Sequence, residues 1–337
     1  MALRLIELYL PATQDISKLK EQLAEFNVLA IWEDNNTDTR SQLRIMADSG
    51  DTGEILDYLE KRFSAVKGFR IVLLSVEATL PRIEPKKTKA EEEPNDKKRE
   101  FRIGKGLSRE ELYNDISSNA EITGFFVFLV ILSTLVASIG ILKNNVAVII
   151  GAMVIAPLIG PNVAWAFSTT LGDSKLFRRS IYAMLTGLSV SLVISVLIGV
   201  FSHIDPSISE LNSRTRVDLG DIVLALASGS AGALSFTMGL PSAIIGVMVA
   251  VALLPPAVTF GMLIGSGHVS LALGALLLLV VNVICVNLSA VATFLFQGVQ
   301  PLNWWEANKA RKSAKFALFL WSSLLVLLAI LIKNIFD

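Results

Sequence analysis

The stretch IIGAMVIAPLIGP occupies residues 149–161 and places Pro157 and Pro161 inside an otherwise apolar segment. A proline within a helix removes one backbone donor and frees the carbonyl four residues earlier. For Pro157 that carbonyl belongs to Met153. In hydrocarbon a free carbonyl is costly unless protein, water or a ligand satisfies it. The stretch therefore predicts either a kink repaired within the protein or a break that lines a pathway, and both interpretations stay open.

The same stretch recurs 95 residues later as IIGVMVAVALLPP, residues 244–256. Seven of the thirteen positions are identical, among them a glycine, a methionine and the last proline, Pro256. The shift also pairs Ser133 with Ser228, and it superposes the first three predicted spans on the next three. An odd number of spans per copy inverts the second copy, as in many secondary transporters. The sequence thus predicts an inverted repeat, in which Pro256 frees the carbonyl of Ala252.

The composition is that of a membrane protein with a soluble head. Of the 337 residues 53% are hydrophobic, and the mean hydropathy is +0.58, above the usual balance of soluble domains. Nearly all charged residues precede Asn119, and the net charge is zero, so no nucleic-acid partner is expected. The single cysteine, Cys285, leaves no intramolecular disulfide and no cysteine-pair metal site. We expect neither a metal nor a cofactor.

The chain divides into four predicted parts. Residues 1–84 form a cytoplasmic α+β head with elements in the order βαββαβ, the ferredoxin-like arrangement. A charged linker follows at 85–106, then an interfacial amphipathic helix at 107–120 and the α-helical transmembrane domain at 121–337. The N-terminal stretch lacks the layout of a signal peptide, which places the head in the cytoplasm. Fold alone leaves two roles for the head, assembly of the protein or binding of a small regulatory ligand such as a nucleotide.

The transmembrane domain is predicted to contain about seven spans. A span needs about 20 mostly apolar residues, and the segments that qualify are 122–142, 145–168, 178–201, 219–237, 241–265, 270–296 and 314–334. The first six form the 3+3 inverted repeat, and the seventh lies outside it. Basic residues favour the loops that are internal when the N-terminus is cytoplasmic. We therefore expect a multi-pass protein of the inner (plasma) membrane whose C-terminus is outside.

Neutral polar side chains are the only candidates for a ligand site inside the spans. The span interiors carry no ionisable residue, so a carboxylate proton relay is disfavoured. The amides have the greatest hydrogen-bonding capacity to satisfy, whereas membrane serines more often bond their own helix or allow close packing. The pathway candidates are Pro157, Asn162, Ser228, Ser230, Pro255, Pro256, Asn282 and Asn287, with Asp221 at the mouth. Gly229 and Ala233, four apart, predict a packing face beside Ser228.

Three motifs occur in a fixed order along the membrane domain: GAMVIAPLIGP at 151–161, DLGDIVLALASGSAGA at 218–233 and GVMVAVALLPPAV at 246–258. With these motifs the chain resembles a family of uncharacterised hydrophobic proteins of bacteria and archaea, catalogued as domain-of-unknown-function family 389. The resemblance spans roughly residues 110–300. It implies a membrane location and a common core, and it brings no activity or residue role.

An enzyme is not expected, because the chain has no HExxH, no GxSxG and no intramembrane aspartate pair. The sequence instead predicts a transporter or channel-like protein that moves a small solute or ion at the interface of the inverted repeats. The alternative is a non-transporting membrane sensor or scaffold whose head binds a small ligand. A polar cavity between the repeats favours the first, and a packed centre favours the second. In both cases we expect a homo-oligomer, because most such assemblies are symmetric.

Overall fold

The computed structural model describes residues 3–11, 16–23, 25–37, 40–76, 79, 109–239, 252–299 and 304–336. The chain divides into two compact units, Met1–Glu111 and Leu112–Asp337. The predicted linker at 85–106 lies outside the described residues, so its bounds stay a prediction. The same holds for residues 241–251, the first part of the predicted fifth span.

In its described residues up to Val76, the first unit contains a four-stranded antiparallel sheet and two helices. Its elements are β1 (Leu3–Pro11), α1 (Ile16–Leu23), β2 (Val28–Thr37), β3 (Arg40–Asp48), α2 (Ser49–Phe63) and β4 (Arg70–Val76). The strands lie in the order β2-β3-β1-β4, so β1 is an inner strand. Strand alternation buries Ile6, Leu8 and Leu10 of β1 in a core that includes Leu19 of α1 and Leu59 of α2.

The second unit is built from helices over its described residues. They are α3 (Arg109–Ser118, which starts three residues before the unit boundary), α4 (Gly124–Leu142), α5 (Val146–Ile155), α6 (Ile159–Leu171), α7 (Ser174–Phe201), α8 (Ser209–Asn212), α9 (Leu219–Thr237), α10 (Leu254–Gly265), α11 (Val269–Phe296) and α12 (Trp304–Phe336). Among the described residues, five helices are long and apolar enough to cross a membrane, or six if the bent pair α5–α6 is one span. The chain is therefore a multi-pass membrane protein.

Pro157 lies in the break between α5 and α6. The first helix ends at Ile155, the second begins at Ile159, and the pair is bent by 55°. The residue before the proline, Ala156, has an extended backbone with ψ 119°, because the proline ring disfavours the helical conformation at that position. Pro157 therefore separates two helices, which is the break that one of the two interpretations of the sequence expects.

Pro255 and Pro256 lie in the first turn of α10. A proline is tolerated in this turn because the backbone N–H that it lacks would have no partner within the helix. These two prolines therefore mark the start of a helix, and they do not interrupt one in its middle.

The helix bounds repeat at the shift of 95 residues found in the sequence. Adding 95 to the residue numbers that bound α4 gives the bounds of α9, and adding 95 to those of α7 gives the bounds of α11. The starts of α6 and α10 correspond in the same way. The turns after α6 and α10 both contain a glycine with positive φ, Gly172 at 69° and Gly267 at 82°. Both turns use the left-handed conformation that glycine adopts without strain.

The helix α3 packs onto the second unit through its apolar stripe. Ile116 and Ala120 are fully buried. The Tyr113 hydroxyl donates to Asp173 Oδ2 at 2.8 Å, and its ring lies 6.4 Å from that of Phe167 in α6. Burial, together with the bond to Asp173, raises the pKa of Tyr113 to about 12. The stripe predicted from the sequence is thus covered by protein.

Replacing Tyr113 with phenylalanine is expected to lower the stability of the full chain by about 1 kcal/mol, because one partly buried hydrogen bond is lost. Burial raises the pKa of Asp173, but the hydrogen bonds from Tyr113 and from the Leu176 and Lys175 amides outweigh it and lower that pKa. Because the pKa of Asp173 is lower in the folded chain, its carboxylate stabilises the fold at pH values above the unfolded pKa of about 3.9. This stabilisation is lost as the pH falls through the folded pKa. Thermal unfolding at pH 7 and towards pH 3 should show the difference shrinking in acid.

Tyr182→Phe is the matched control for this substitution. Tyr182 is 58% exposed, so its hydroxyl should contribute little, and its removal should leave the melting temperature unchanged at either pH. A penalty for Tyr113→Phe that persists unchanged in acid would show that the ring packing, and not the bond to Asp173, is responsible.

Candidate functional site

Asn162 and Asn287 meet inside the helical unit. Asn162 is the fourth residue of α6, Asn287 lies in α11, and each is 1% exposed. Asn287 Nδ2 donates to Asn162 Oδ1 at 2.5 Å. The fold thus joins two of the three amides predicted as ligand candidates, across 125 positions of sequence.

Each amide of this pair retains one polar atom without a hydrogen-bond partner among the described residues. These atoms are Asn162 Nδ2 and Asn287 Oδ1. Asn287 Nδ2 also donates to the Val283 carbonyl at 2.9 Å, which settles the orientation of both amides, because a reversed amide would set oxygen against that carbonyl. An unpaired buried polar atom costs about 1–3 kcal/mol. The pair therefore presents one donor and one acceptor that a polar guest could satisfy.

The helices α6 and α10 both begin at buried positions, and α6 begins three residues before Asn162. The residues that precede α6 and α10, Leu158 and Leu253, are fully buried, and neither helix start has a side-chain cap. The first N–H groups of a helix have no partner within it, and together they carry a partial positive charge. Asn162 lies at the end of the first turn of α6. The amide pair is therefore next to a helix start that attracts electron-rich groups.

Asn282 has a different task from Asn287, although both lie on α11. Its Nδ2 donates to the Ala252 carbonyl at 2.7 Å. Ala252 is the residue whose carbonyl Pro256 was predicted to free, and the Asn282 side chain satisfies that carbonyl. The two asparagines serve different partners, as their spacing of five residues predicts for a helix.

Two further buried hydroxyls lack partners in the part of the chain that the structure describes, Ser191 Oγ on α7 and Thr259 Oγ1 on α10. Gly261 of α10 approaches Ser195, and Gly265 approaches Val196, so α7 and α10 run parallel. Ser191 and Thr259 both precede this contact along their helices. The sequence analysis missed Thr259, and its one signal was a hydroxyl close behind the second proline motif.

Within the described ranges, no hydrogen bond joins the other predicted site residues to the amide pair. Ser228 is buried on α9 and Ser230 is half-buried. Beside them a Cβ on Gly229 would lie 2.5 Å from the Val286 carbonyl oxygen, so this stretch packs closely on α11. Asp221 belongs to a capping box: its carboxylate accepts from the Asp218 N–H at 3.0 Å, and the Asp218 carboxylate accepts in return at 3.1 Å. Within the described ranges, no cluster of three His, Cys, Asp or Glu residues could hold a metal.

Comparison with known proteins relates the whole chain to one family. A family model described as a domain of unknown function, DUF389, matches residues 153–288. The matched range begins four residues before Pro157 and ends one residue after Asn287. An uncharacterised protein of Methanocaldococcus jannaschii is 35% identical over 333 residues, which cover 98% of this chain and 99% of that protein. No solved structure matches the chain.

Proposed function

The chain belongs to the DUF389 family, and we propose that it is a transporter or channel-like protein for a small solute or ion. One observation carries the proposal: Asn162 and Asn287 keep an unpaired donor and an unpaired acceptor in a fully buried position. In an apolar bundle such atoms are costly unless a guest pairs with them. Passage would run along α6 and α11, where the amides meet.

An inverted repeat is part of this proposal, and the repeated helix bounds support it. The directions in which the packed helices run support it as well. Asn162 lies against Asn287, and Phe167 lies 5.3 Å from Phe294, so α6 and α11 run parallel as α7 and α10 do. Because α6 turns directly back into α7, α6 and α10 must run in opposite directions. In an inverted 3+3 repeat, equivalent helices of the two copies, such as α6 and α10, must run in opposite directions. The helix α12, which packs on α6 and α11, would be the additional seventh span.

The proposed cargo is small and polar, either neutral or a compact ion. One free donor and one free acceptor suit a neutral solute that makes both kinds of hydrogen bond. The uncapped starts of α6 and α10 favour an anion as the charged alternative. A proton relay through carboxylates has no support, because Asp221 is committed to capping α9.

The head is proposed to be a ferredoxin-like domain that regulates or assembles the protein. Its strand order, β2-β3-β1-β4 with antiparallel neighbours, supports that fold. We propose that the head is cytoplasmic, because basic residues lie at the first ends of two spans. They are Lys175, Arg178 and Arg179 in α7, and Arg311 and Lys312 in α12. Both clusters then obey the positive-inside rule. The C-terminus would lie outside, in an inner-membrane protein that forms homo-oligomers.

Flux into proteoliposomes tests the proposal. The full chain is reconstituted, and osmotic volume changes are followed by light scattering with urea, glycerol, potassium chloride or potassium nitrate as the osmolyte, the salts with a potassium ionophore. At least one probe should enter faster than into protein-free vesicles. For that probe, Asn287→Ala should lower the rate about tenfold, as expected for the loss of a hydrogen bond to a desolvated guest. Asn212→Ala, at an exposed position on α8, is the control.

Two outcomes would count against this function. If no probe enters faster than into vesicles without protein, although the reconstituted chain is folded, transport of these classes is rejected. If flux exists but Asn287→Ala and Asn212→Ala give the same rate, the pathway lies elsewhere. The melting temperature of each variant separates a loss of flux from a loss of fold.

The second candidate is a non-transporting homo-oligomeric sensor or scaffold. The Asn282 bond to Ala252 favours it, since a break repaired by the protein needs no guest. In the head, Trp32 is 47% exposed, and Glu7 on the same sheet pairs with Arg44 at 3.0 Å. Such a face suits a partner subunit or a small ligand. A melting temperature of the full chain that rises with a nucleotide, together with no flux, would favour this candidate.

A further inference from the structure

A cavity at the start of α7 is separate from the amide pair. It has a volume of about 740 Å³ and is lined by Lys175, Arg178 and Arg179, with Ile122, Tyr182 and Thr186 beyond them. The residues on α7 are spaced by three and four positions, so they share one face of that helix. This face begins in charged residues and continues as apolar and aromatic ones.

The charged end of the cavity has a surplus of positive charge. Arg179 pairs with Glu121 and lies 3.5 Å from the Ser117 hydroxyl. Lys175 and Arg178 are exposed, and neither forms an ion pair within the described ranges. Asp173, two positions before Lys175, already accepts hydrogen bonds from Tyr113 and from the first amides of α7. Two cations are therefore available to an anion.

The other end of the cavity is lined by exposed apolar and aromatic side chains. Ile122 is 46% exposed and Tyr182 is 58% exposed, and Phe125 and Leu185 beside them are more than half exposed. Tyrosine is enriched at the boundary between membrane and water. Arginine binds phosphate oxygens through two parallel hydrogen bonds, and basic residues at this depth attract anionic head groups.

We propose that this cavity binds the phosphate of an anionic membrane phospholipid at Lys175 and Arg178, with the acyl chains along Ile122 and Tyr182. A soluble phosphate would satisfy the cations and leave the apolar wall bare, so the combination selects a lipid. The bound head group would lie beside Arg179, which ties α7 to the end of α3 through Ser117 and to the segment after α3 through Glu121. Lipid binding would therefore strengthen this junction, whether or not the protein transports a solute.

Native mass spectrometry of the full chain in detergent tests the proposal. Phosphatidylglycerol and phosphatidylcholine are added in equal amounts, and the ratio of the two bound forms is measured. The parent chain should prefer phosphatidylglycerol. The double variant Lys175→Gln/Arg178→Gln should reduce that preference roughly thirtyfold, because each basic residue near the surface contributes about 1 kcal/mol and 1.4 kcal/mol is a factor of ten. Both side chains are exposed, so the variant should stay folded, and Arg178→Gln alone should give an intermediate value.

The control is Arg311→Gln/Lys312→Gln, which removes the same charge from exposed positions on α12. Retention of the lipid preference in this control supports a defined site. An equal loss in both double variants would overturn it, since attraction would then be general to the basic surface. Equal binding of the two lipids by the parent chain would also overturn it. Inorganic phosphate is added in a separate arm, and displacement of the lipid at equal concentration would show a phosphate site without a lipid wall.

Discussion

Gly199→Val is expected to stop α7 and α10 from packing, at a cost of about 3 kcal/mol or more. A Cβ on Gly199 would lie 2.9 Å from both the carbonyl carbon and the Cα of Met262 in α10. These are backbone atoms of a neighbouring helix, so they cannot rotate away as the end of a flexible side chain does. The full chain should lose its monodisperse peak in size-exclusion chromatography, or melt far below the parent.

Gly151→Val is the matched control for that experiment. Gly151 lies in α5, and a Cβ built on it meets nothing within 4 Å. The two substitutions add the same side chain to apolar helices, so they differ only in the space available. Equal melting temperatures for the two variants would contradict the close contact between α7 and α10, and with it the parallel arrangement that supports the inverted repeat.

The membrane helices could be predicted from the sequence because their signals are local. Apolar length is read directly from the chain, and α4, α7, α9 and α11 fall within or close to the predicted spans. The repeat of 95 residues is visible in the proline motifs, and the helix bounds follow the same shift. Strand alternation and helical stripes likewise predicted the order of elements in the head, which the structure has from β1 to β4.

The contacts of the site could not be predicted, because no local pattern encodes them. Nothing in the periodicity of α6 or α11 pairs Asn162 with Asn287 across 125 positions. The hydrogen bond from Asn287 Nδ2 to the Val283 carbonyl, one turn earlier in α11, fixes the orientation of the Asn287 amide. This orientation decides which amide atoms of the pair stay unpaired. The same limit applies to Tyr113, whose partner Asp173 is 60 positions away. The sequence identifies the polar residues as candidates. Only the packed structure shows which of their polar atoms have hydrogen-bond partners and which do not.

Asn282→Leu is expected to destabilise the full chain by about 2–3 kcal/mol, because it removes the side-chain donor that satisfies the buried Ala252 carbonyl. Asn282 and Ala252 are each 6% exposed, and Asn282 Nδ2 lies 2.7 Å from the Ala252 oxygen. Leucine is close to asparagine in size, so the loss should reflect the unpaired carbonyl more than a cavity. Thermal unfolding of the purified chain measures it.

Pro256→Ala in the same chain should recover part of that loss. Residue 256 is four positions after Ala252, and an alanine there supplies the N–H that the proline lacks. The neighbouring bond from the Ala257 N–H to the Leu253 carbonyl, at 3.3 Å, already follows the helical register that the new bond would need. Pro256→Ala alone should cost little while Asn282 is present, so the two changes should be strongly non-additive.

The outcome of this cycle decides what the second proline motif does. A large favourable coupling would show that Asn282 exists to repair the break at Pro256, which makes that break structural. The unpaired atoms of Asn162 and Asn287 would then be the amide atoms near the proline motifs that packing alone does not account for, and a guest would be sought along α6 and α11. Additive losses would instead mean that Asn282 contributes through its packing. The Ala252 carbonyl would then be as open to a ligand as the amide pair is, and the proposed pathway would have to include α10.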